Sequence, residues 1–285
     1  MADSLSDAVD AYNAGEYQTA ERIFMQFAKQ GFADAQFNLA LMYDNGHGVP
    51  QDYQTAIKWY TSAAEQGLAV AQYNLGVMYQ RGEGVSQDYQ TVLKWWTSAA
   101  EQGFAEAQYS LGLMYDNGHG VPQDYQMAVK WWTTAAEQGH AKAQYNLGIM
   151  FDVGDGVPQD YKTAVKWYSF AAQQGDADAQ YNLGNLYRRG DGVTQDYKTA
   201  VKWWTIAAEQ GLAVAQNNLG FMYHTGDGVP QDDVYAHMWY NISAYNGDIK
   251  ASENRDLIAK RMTPSQIEKA QTLAHACVSK EYKDC

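Results

Sequence analysis

A fixed 36-residue period runs through most of this chain. The first glycine of a recurring G-x-G-V loop falls at the same phase each time, at Gly46, Gly82, Gly118, Gly154, Gly190 and Gly226. A period of this length that repeats more than three times is the signature of a solenoid made of stacked supersecondary units. Because such a stack grows in one dimension, the sequence predicts no internal domain boundary.

Each repeat is predicted to contain two helices. In the copy that starts at Ala105, apolar residues at helical spacing (Ala107, Leu111 and Met114) indicate a first helix. Glycines and a proline then break the helix, and Asp124 stands where an N-cap residue is expected before a second helix, Tyr125 to Gln138. We call the two helices of each repeat the A helix and the B helix. The fold class is therefore all-α.

The repeat pattern divides the chain into three predicted segments. Residues 1–32 form an opening helical hairpin that caps the stack, and residues 249–285 form capping helices and a tail. The six repeats between them occupy residues 33–68, 69–104, 105–140, 141–176, 177–212 and 213–248.

Charge and hydropathy exclude several functions. The 33 acidic residues outnumber the 20 basic ones, which gives a net charge of −13 and argues against nucleic acid as a partner. No apolar run is long enough to span a membrane, and the first residues lack the features of a signal peptide. The protein is therefore either cytoplasmic or a mature domain without its leader.

No enzymatic or metal-binding motif is present. The sequence has no phosphate-binding G-x-x-x-x-G-K, no G-x-S-x-G, no H-E-x-x-H and no C-x-x-C, and its six histidines share no metal-type spacing. We therefore expect neither catalysis nor a cofactor.

Two recurring features of the helices are interpreted as packing. Gly112 lies in the middle of an A helix, where Gly is unfavourable, so a neighbouring helix is expected to come too close for a side chain. The paired aromatics of the B helix, such as Trp131 and Trp132, flank an alanine stripe and are expected to fill the core. The alternatives, ligand access at the glycine and stacking of a ligand on the aromatics, are less common for such patterns.

The repeated strings AQYNLGxMYxxGxGVxQDYxxAxKWW and AAEQG resemble the Sel-one-like repeat family, a relative of the tetratricopeptide repeats. The resemblance covers about Gly31 to Asp248. It implies a right-handed α/α superhelical solenoid of antiparallel helix pairs that serves as an interaction scaffold without catalysis of its own. Members act as adaptors in bacterial envelope, signalling and host-contact settings.

The resemblance also implies a binding surface. If Leu111, Gly112 and Tyr115 correspond to the packed residues of the family's first helix, then Glu106, Tyr109, Leu113, Asp116 and Asn117 face the concave groove. We call these five positions, in every repeat, the A-helix face. The predicted protein-binding residues on it are Phe37, Leu41, Asp44, Tyr73, Arg81, Glu106, Tyr109, Leu113, Asp116, Lys142, Tyr145, Asp152, Tyr181, Arg188 and Asn217.

Two features of the sequence support that surface. The copies differ most at four of its five positions, as a one-off binding surface requires. The remaining position is aromatic in five repeats, and tyrosine provides a large contact area with little entropy to lose. The alternative is that these rings only fill the gap between adjacent A helices. Basic residues (Arg81, Lys142, Arg188 and Arg189) could meet carboxylates of a ligand, and acidic ones a basic segment.

Cys277 and Cys285 are the only two cysteines. A helix followed by a short return can bring them within disulfide distance, and similar endings occur in envelope members of the family. Two free thiols in a cytoplasmic protein are the alternative. We expect a periplasmic or secreted location, with the cytoplasm as the alternative.

The predicted function is to hold a peptide or a segment of another protein in the concave groove. The alternative is a structural spacer that self-associates through its cap surfaces. We expect a monomer, with a dimer as the second option.

Overall fold

The computed structural model describes residues 4–283 and 285. Residues 1–3 of the predicted opening segment and Asp284 of the predicted tail lie outside this description. Within it the chain forms sixteen α-helices and no strand, which confirms the all-α prediction. Consecutive helices pack against each other in pairs, as expected for a helical repeat.

The chain divides into two compact units, Met1–His140 and Ala141–Cys285. The sequence pattern alone predicted no internal boundary. The division falls at the junction between the third and fourth repeats. In a one-dimensional stack each repeat packs mainly on its neighbours, so any junction between repeats can become a division.

The first unit contains the opening hairpin and three repeats. Its helices are α1 (Leu5–Asn13), α2 (Tyr17–Lys29), α3 (Ala33–Asn45), α4 (Tyr53–Glu65), α5 (Ala69–Arg81), α6 (Tyr89–Glu101), α7 (Ala105–Asn117) and α8 (Tyr125–Glu137). The A helices here are α3, α5 and α7.

The second unit contains three repeats and two further helices. Its helices are α9 (Ala141–Val153), α10 (Tyr161–Gln173), α11 (Ala177–Arg189), α12 (Tyr197–Ala208), α13 (Ala213–Thr225), α14 (Asp233–Tyr245), α15 (Ile249–Ala259) and α16 (Pro264–Ser279). The A helices here are α9, α11 and α13.

The loop between the two helices of a repeat is built from local hydrogen bonds. Gly118 ends α7 in the left-handed conformation, with a φ of 70°. The Gln123 side chain then donates to the carbonyl of Asp116 (2.6 Å), and the Asp124 carboxylate accepts from the backbone N–H of Met127 at the start of α8. The N-cap role predicted for Asp124 is therefore confirmed, and the adjacent Gln caps the preceding helix.

The core consists of alanines and large inner rings. The second aromatic of each B-helix pair is buried in every repeat, as Trp132 and Tyr168 illustrate. The first aromatic is less uniform, because Trp131 is partly exposed whereas Trp239 is buried. Lys94 lies over the ring of the outer Trp95, 4.5 Å from its centroid. The packing interpretation of these pairs therefore holds for the inner rings.

A series of buried amides connects successive repeats inside each unit. The Gln108 side chain, which is buried, donates to the carbonyl of Ala100 (2.9 Å) and accepts from the Gln138 amide (2.7 Å). The same arrangement recurs at Gln36, Gln72, Gln180 and Gln216, with Asn246 as the donor to Gln216. Each amide adds a second donor to a carbonyl near the end of a helix, since that carbonyl also accepts the N–H of a glycine three positions on, as Ala100 does from Gly103 (2.9 Å).

The second unit ends in a cap that is held by a disulfide. Helix α16 packs on α14, whose residue Met238 occupies the register that Lys130 occupies in α8. Cys277 and Cys285 form a disulfide. Between them, the Tyr282 hydroxyl donates to Asn246 (2.9 Å), and the Tyr282 ring lies against Gly211. The tail is thus fixed to the last repeat.

Helix α15 begins at Ile249, the first residue of the predicted C-terminal segment. The carboxylate of Asp248 accepts from the N–H groups of Lys250 and Ala251, so the helix starts immediately after it. No described helix is both long and apolar enough to cross a membrane.

Candidate functional site

The aromatic residues of the A-helix face lie between two packing partners. The ring of Tyr73 stacks on the inner Trp96 (centroids 5.9 Å apart) and contacts Phe104, which precedes the next A helix. The ring of Tyr109 stacks on His140 in the same way, at 4.6 Å. All of these A-helix rings are still partly exposed. They therefore pack between repeats and also present a surface to solvent, and their binding role stays a prediction.

The inner rings of the B helices support the A-helix face from below. Indole Nε1 of Trp132 donates to the carbonyl of Tyr109 (3.1 Å), and the Trp96 and Trp204 indoles make the same bond in their repeats. In two of the three repeats whose inner ring is tyrosine, the hydroxyl donates instead to a carboxylate of the A-helix face, from Tyr60 to Asp44 (3.2 Å) and from Tyr168 to Asp152 (3.4 Å).

Two carboxylates of the A-helix face are half-buried, and this changes their pKa values. Burial raises the pKa of Asp44 above its ordinary value, and the hydrogen bond from Tyr60 opposes that shift. Burial also raises the pKa of Asp152, which lies 3.6 Å from Arg189 and accepts from the Tyr168 hydroxyl. Each carboxylate would be further stabilised by an added cation.

All fifteen predicted binding residues are at least partly exposed. Nine of them, from Phe37 to Asp116, belong to the first unit, and six, from Lys142 to Asn217, belong to the second. The structure thus places the predicted residues on accessible parts of A helices in both units. Their role in binding is not tested by this placement.

Lys142 has a different environment from the one expected. It was predicted to be a rim cation that meets ligand carboxylates, but its Nζ lies 2.8 Å from Oδ2 of Asp176. Asp176 is buried and also caps α11 through a bond from the N–H of Ala179. This pair holds the start of α11 while the Lys142 side chain stays exposed, so a role of Lys142 in ligand binding stays a prediction.

Two adjoining cavities open on the A-helix face of the second unit. One, of about 270 Å³, is lined by Tyr181, Asn185, Arg188, Trp204, Asn217, Asn218, Phe221 and Asn254. The other, of about 630 Å³, is lined by Tyr181, Ala213, Val214, Asn217, Asn218, Asn246, Gly247, Asp248, Ile249 and Lys250. Three predicted site residues (Tyr181, Arg188 and Asn217) line these cavities, and Tyr181 and Asn217 line both.

A row of amides beside the predicted aromatics was not among the predicted site residues. The residue directly after the predicted aromatic position, which is Tyr109 in α7, is Asn in five repeats. Asn218 lines both cavities. The recurrence of N in AQYNLG was a usable signal, but the prediction concentrated on positions that vary. Asn254 was also missed because it reaches the site only through the fold, where its side chain donates to Asn217 (3.0 Å).

The described residues contain no group of three or more His, Cys, Asp or Glu side chains that could hold a metal ion. The chemistry available on the A-helix face is therefore that of amides, phenol rings, apolar side chains and a few charges. Such a set suits noncovalent recognition of a polypeptide.

These features define the class of the protein as an α-helical repeat solenoid with an accessible A-helix face. The sequence model of the Sel1 repeat matches residues 33–68, 69–104, 105–140, 141–176, 177–212 and 213–248. The chain belongs to the Sel1 repeat family, which confirms the resemblance seen in its sequence.

Two solved structures are similar over most of this chain. One is a protective antigen of uropathogenic Escherichia coli that displays an SLR fold, with 34% identity and a TM-score of 0.83. The match covers 98% of this chain and 62% of the antigen, so this chain spans less than two thirds of that protein. The other is a Sel1 repeat protein from Oxalobacter formigenes, with 38% identity, a TM-score of 0.72, and coverage of 85% of this chain and 99% of that one. No curated protein matches the chain.

Proposed function

We propose that this protein is an adaptor that holds a segment of another protein on its A-helix faces. Sel1 repeat proteins are generally scaffolds for protein–protein interaction, and their fold is typical of proteins without catalytic activity.

The observation that carries the proposal is the pair of cavities around Tyr181 and Asn217 in the second unit. They share Tyr181, Asn217 and Asn218, so together they offer one continuous site that is open to solvent. An extended peptide needs such a site, with amides for its backbone and apolar places for alternate side chains. Asn217 and Asn218 provide the amides, while Phe221 and Val214 are large apolar residues left exposed.

The disulfide supports the proposed periplasmic or secreted location. Disulfides persist in oxidising compartments and are rare in the reducing cytosol. Cys277 and Cys285 are joined, and the described part of the chain contains no free cysteine. The adaptor would therefore meet its partner in an oxidising compartment, which is the same setting that the family resemblance implied.

Site-specific photocrosslinking in the natural host tests the proposal. A photoreactive phenylalanine is placed at Phe221, on the A-helix face, and separately at Phe170, on helix α10. The two side chains are similarly exposed (46% and 41%), so they form a matched pair. We expect a discrete adduct with another protein from position 221 and none from position 170.

The same experiment addresses the alternative of a spacer that associates through its cap. A third photoreactive residue replaces Tyr245, which is 76% exposed at the end of α14. Adducts from position 245 but not from position 221 would contradict the proposal, and adducts of two copies of this chain would favour self-association. A charged residue at Leu257, which is 63% exposed, serves as the control for self-association through the cap. The buried Ile258 is not suitable, because its substitution would damage the core.

A further inference from the structure

We propose that the A-helix face of the first unit recognises a cationic segment that also carries apolar side chains. This inference rests on the proposed function, because it takes the A-helix face as the docking surface. It adds the chemistry of the partner, which the cavities of the second unit do not determine.

The centre of this surface is a stripe of half-buried apolar side chains. Two positions one helical turn apart on α3, α5 and α7 form it, and its residues are Phe37, Leu41, Tyr73, Val77, Tyr109 and Leu113. Phe37 and Leu41 pack on the core beneath α3, and Tyr73 and Val77 pack on the core beneath α5. Because the inner sides of these residues are held by the core, the stripe offers a preformed apolar surface to a partner.

Carboxylates flank the stripe at both ends of two of the three helices. Asp34 and Asp44 lie near the two ends of α3, and Glu106 and Asp116 lie at the matching positions of α7. The matching positions of α5 are uncharged, with Val70 and Gln80. A partner that crosses the stripe would therefore meet negative charge on either side of it.

The one basic residue at the A-helix-face positions of these three helices is already engaged. Arg81 lies 3.7 Å from the carboxylate of Glu83, which is itself a further acidic group beside the surface. One guanidinium thus stands against five carboxylates. Asp44 is half-buried among these charges, so an incoming ammonium or guanidinium group would gain more there than at a fully exposed carboxylate.

The charge excess of this face is not matched on the B helices of the first unit or on the A helices of the second. The outer ends of the B helices carry Glu65, Glu101 and Glu137, but each B helix also carries a lysine, at Lys58, Lys94 and Lys130. The A-helix face of the second unit is mixed, because it includes Lys142, Arg188 and Arg189 besides its acidic residues. Charge complementarity therefore favours the A-helix face of the first unit over that of the second for a basic partner.

Fluorescence anisotropy with two synthetic peptides and the full chain tests this inference. Both labelled peptides have about 12 residues. One repeats Gly-Lys-Leu and the other repeats Gly-Glu-Leu. The parent chain is compared with the double variant Asp44→Asn and Asp116→Asn, in which the new amide at position 44 can still accept the Tyr60 hydrogen bond. The control is Glu65→Gln with Glu101→Gln, which removes the same charge from exposed positions on B helices.

We expect the Lys peptide to bind and the Glu peptide not to bind. The A-helix-face double variant should weaken the Lys peptide about fivefold to tenfold, and the control less than about twofold. A third peptide, with the same lysine spacing but with Ser in place of Leu, should bind the parent chain more weakly than the Lys-Leu peptide, because it would leave the apolar stripe uncovered. Equal weakening by both double variants would overturn the inference, since it would show general attraction to a chain of net charge −13.

Failure of the inference and failure of the proposed function give different results. The partner crosslinked at position 221 is then searched for a basic and apolar segment that binds the first unit. If it contains none, this inference alone is overturned. Absence of any partner adduct at position 221, with adducts at position 245, would overturn the proposed function.

Discussion

At the scale of the residue, the structure depends on one small residue packed against one large ring in every repeat. A Cβ atom added to Gly112 would overlap the indole of Trp132, and one added to Gly148 would overlap the ring of Tyr168. The first repeat shows the permitted variation, because Ala40 occupies this register above Tyr60 and both residues are buried. The small residue and the ring it faces are therefore coupled in one sense: every inner tryptophan faces glycine, and alanine occurs only against a tyrosine.

Gly112→Ala should destabilise the protein even though alanine favours helix formation. The substitution gains about 1 kcal/mol in helix propensity but forces the Trp132 indole away from its bond to Tyr109, and overpacking of this kind costs about 1–3 kcal/mol. Gly148→Ala is the matched comparison and should cost less, since a tyrosine in the first repeat accepts alanine at this register. Thermal melts followed by circular dichroism measure both. A Gly112→Ala variant that melts above the parent would contradict the coupling.

The burial of individual residues was best predicted from the sequence where the spacing within a single helix determines it. The burial of Leu111 and Met114 and the close approach at Gly112 follow from helical spacing. The ion pair of Lys142 with Asp176 could not be predicted, because these residues lie far apart along the chain and only the packing of the helices brings them together. The buried amide of Gln108 was also missed, since glutamine ordinarily indicates an exposed position.

At the scale of the element, the Gln-Asp pair of each loop stabilises the end of the A helix before it and the start of the B helix after it. The glutamine satisfies a carbonyl of the A helix and the aspartate satisfies N–H groups of the B helix. This local chemistry is why the predicted B helix, Tyr125 to Gln138, agrees within one residue with α8 (Tyr125–Glu137). By contrast, the cavities were not predictable, because they arise where Asn217 replaces the recurrent ring and α15 supplies Asn254.

The N-cap aspartates should make stability depend on acid. Hydrogen bonds from the Thr55 side chain and backbone hold the pKa of Asp52 below its ordinary value, and Thr91 and Thr199 do the same for Asp88 and Asp196. Because these pKa values are lowered by folding, the stabilisation is present above about pH 4, where the carboxylates are charged in both states. It is lost as the pH falls through the folded-state pKa values.

The triple variant of these three aspartates to Asn tests that dependence. Its melting temperature should lie below that of the parent at about pH 6, and the difference should shrink as the pH falls below about 4, because the parent then loses its charged caps. The control is Glu65→Gln with Glu101→Gln, which removes exposed charges that cap no helix. A difference between variant and parent that stays constant with pH would contradict the capping explanation.

At the scale of the whole molecule, a stack of repeats transmits a perturbation mainly to its neighbours. The second unit therefore needs a cap at its end, where no further repeat covers the last helix pair. Helix α16 supplies that cover by packing on α14, where Met238 is buried at the register that holds lysine in the other five repeats. The disulfide then keeps the tail in position.

Removal of the disulfide should loosen the end of the second unit and leave its other repeats ordered. The loop between Cys277 and Cys285 is short, so the chain-entropy model gives a loss of about 2–3 kcal/mol. In Cys277→Ser with Cys285→Ser, the Tyr282 ring would no longer be held against Gly211, and its bond to Asn246 would break more often. Asn246 in turn donates to the buried Gln216, so protection should fall in α13 and α14 first.

Hydrogen exchange followed by mass spectrometry distinguishes this local effect from general destabilisation. Amides of α13, α14 and α16 should exchange faster in the variant, while those of α9 and α10 in the same unit should keep the parent rates. Tyr282→Phe is the matched control, because it removes the bond to Asn246 but keeps the disulfide, and it should reproduce only part of the effect. Uniformly faster exchange from α9 to α16 would show that the second unit opens as one cooperative body and that its C-terminal end does not open independently.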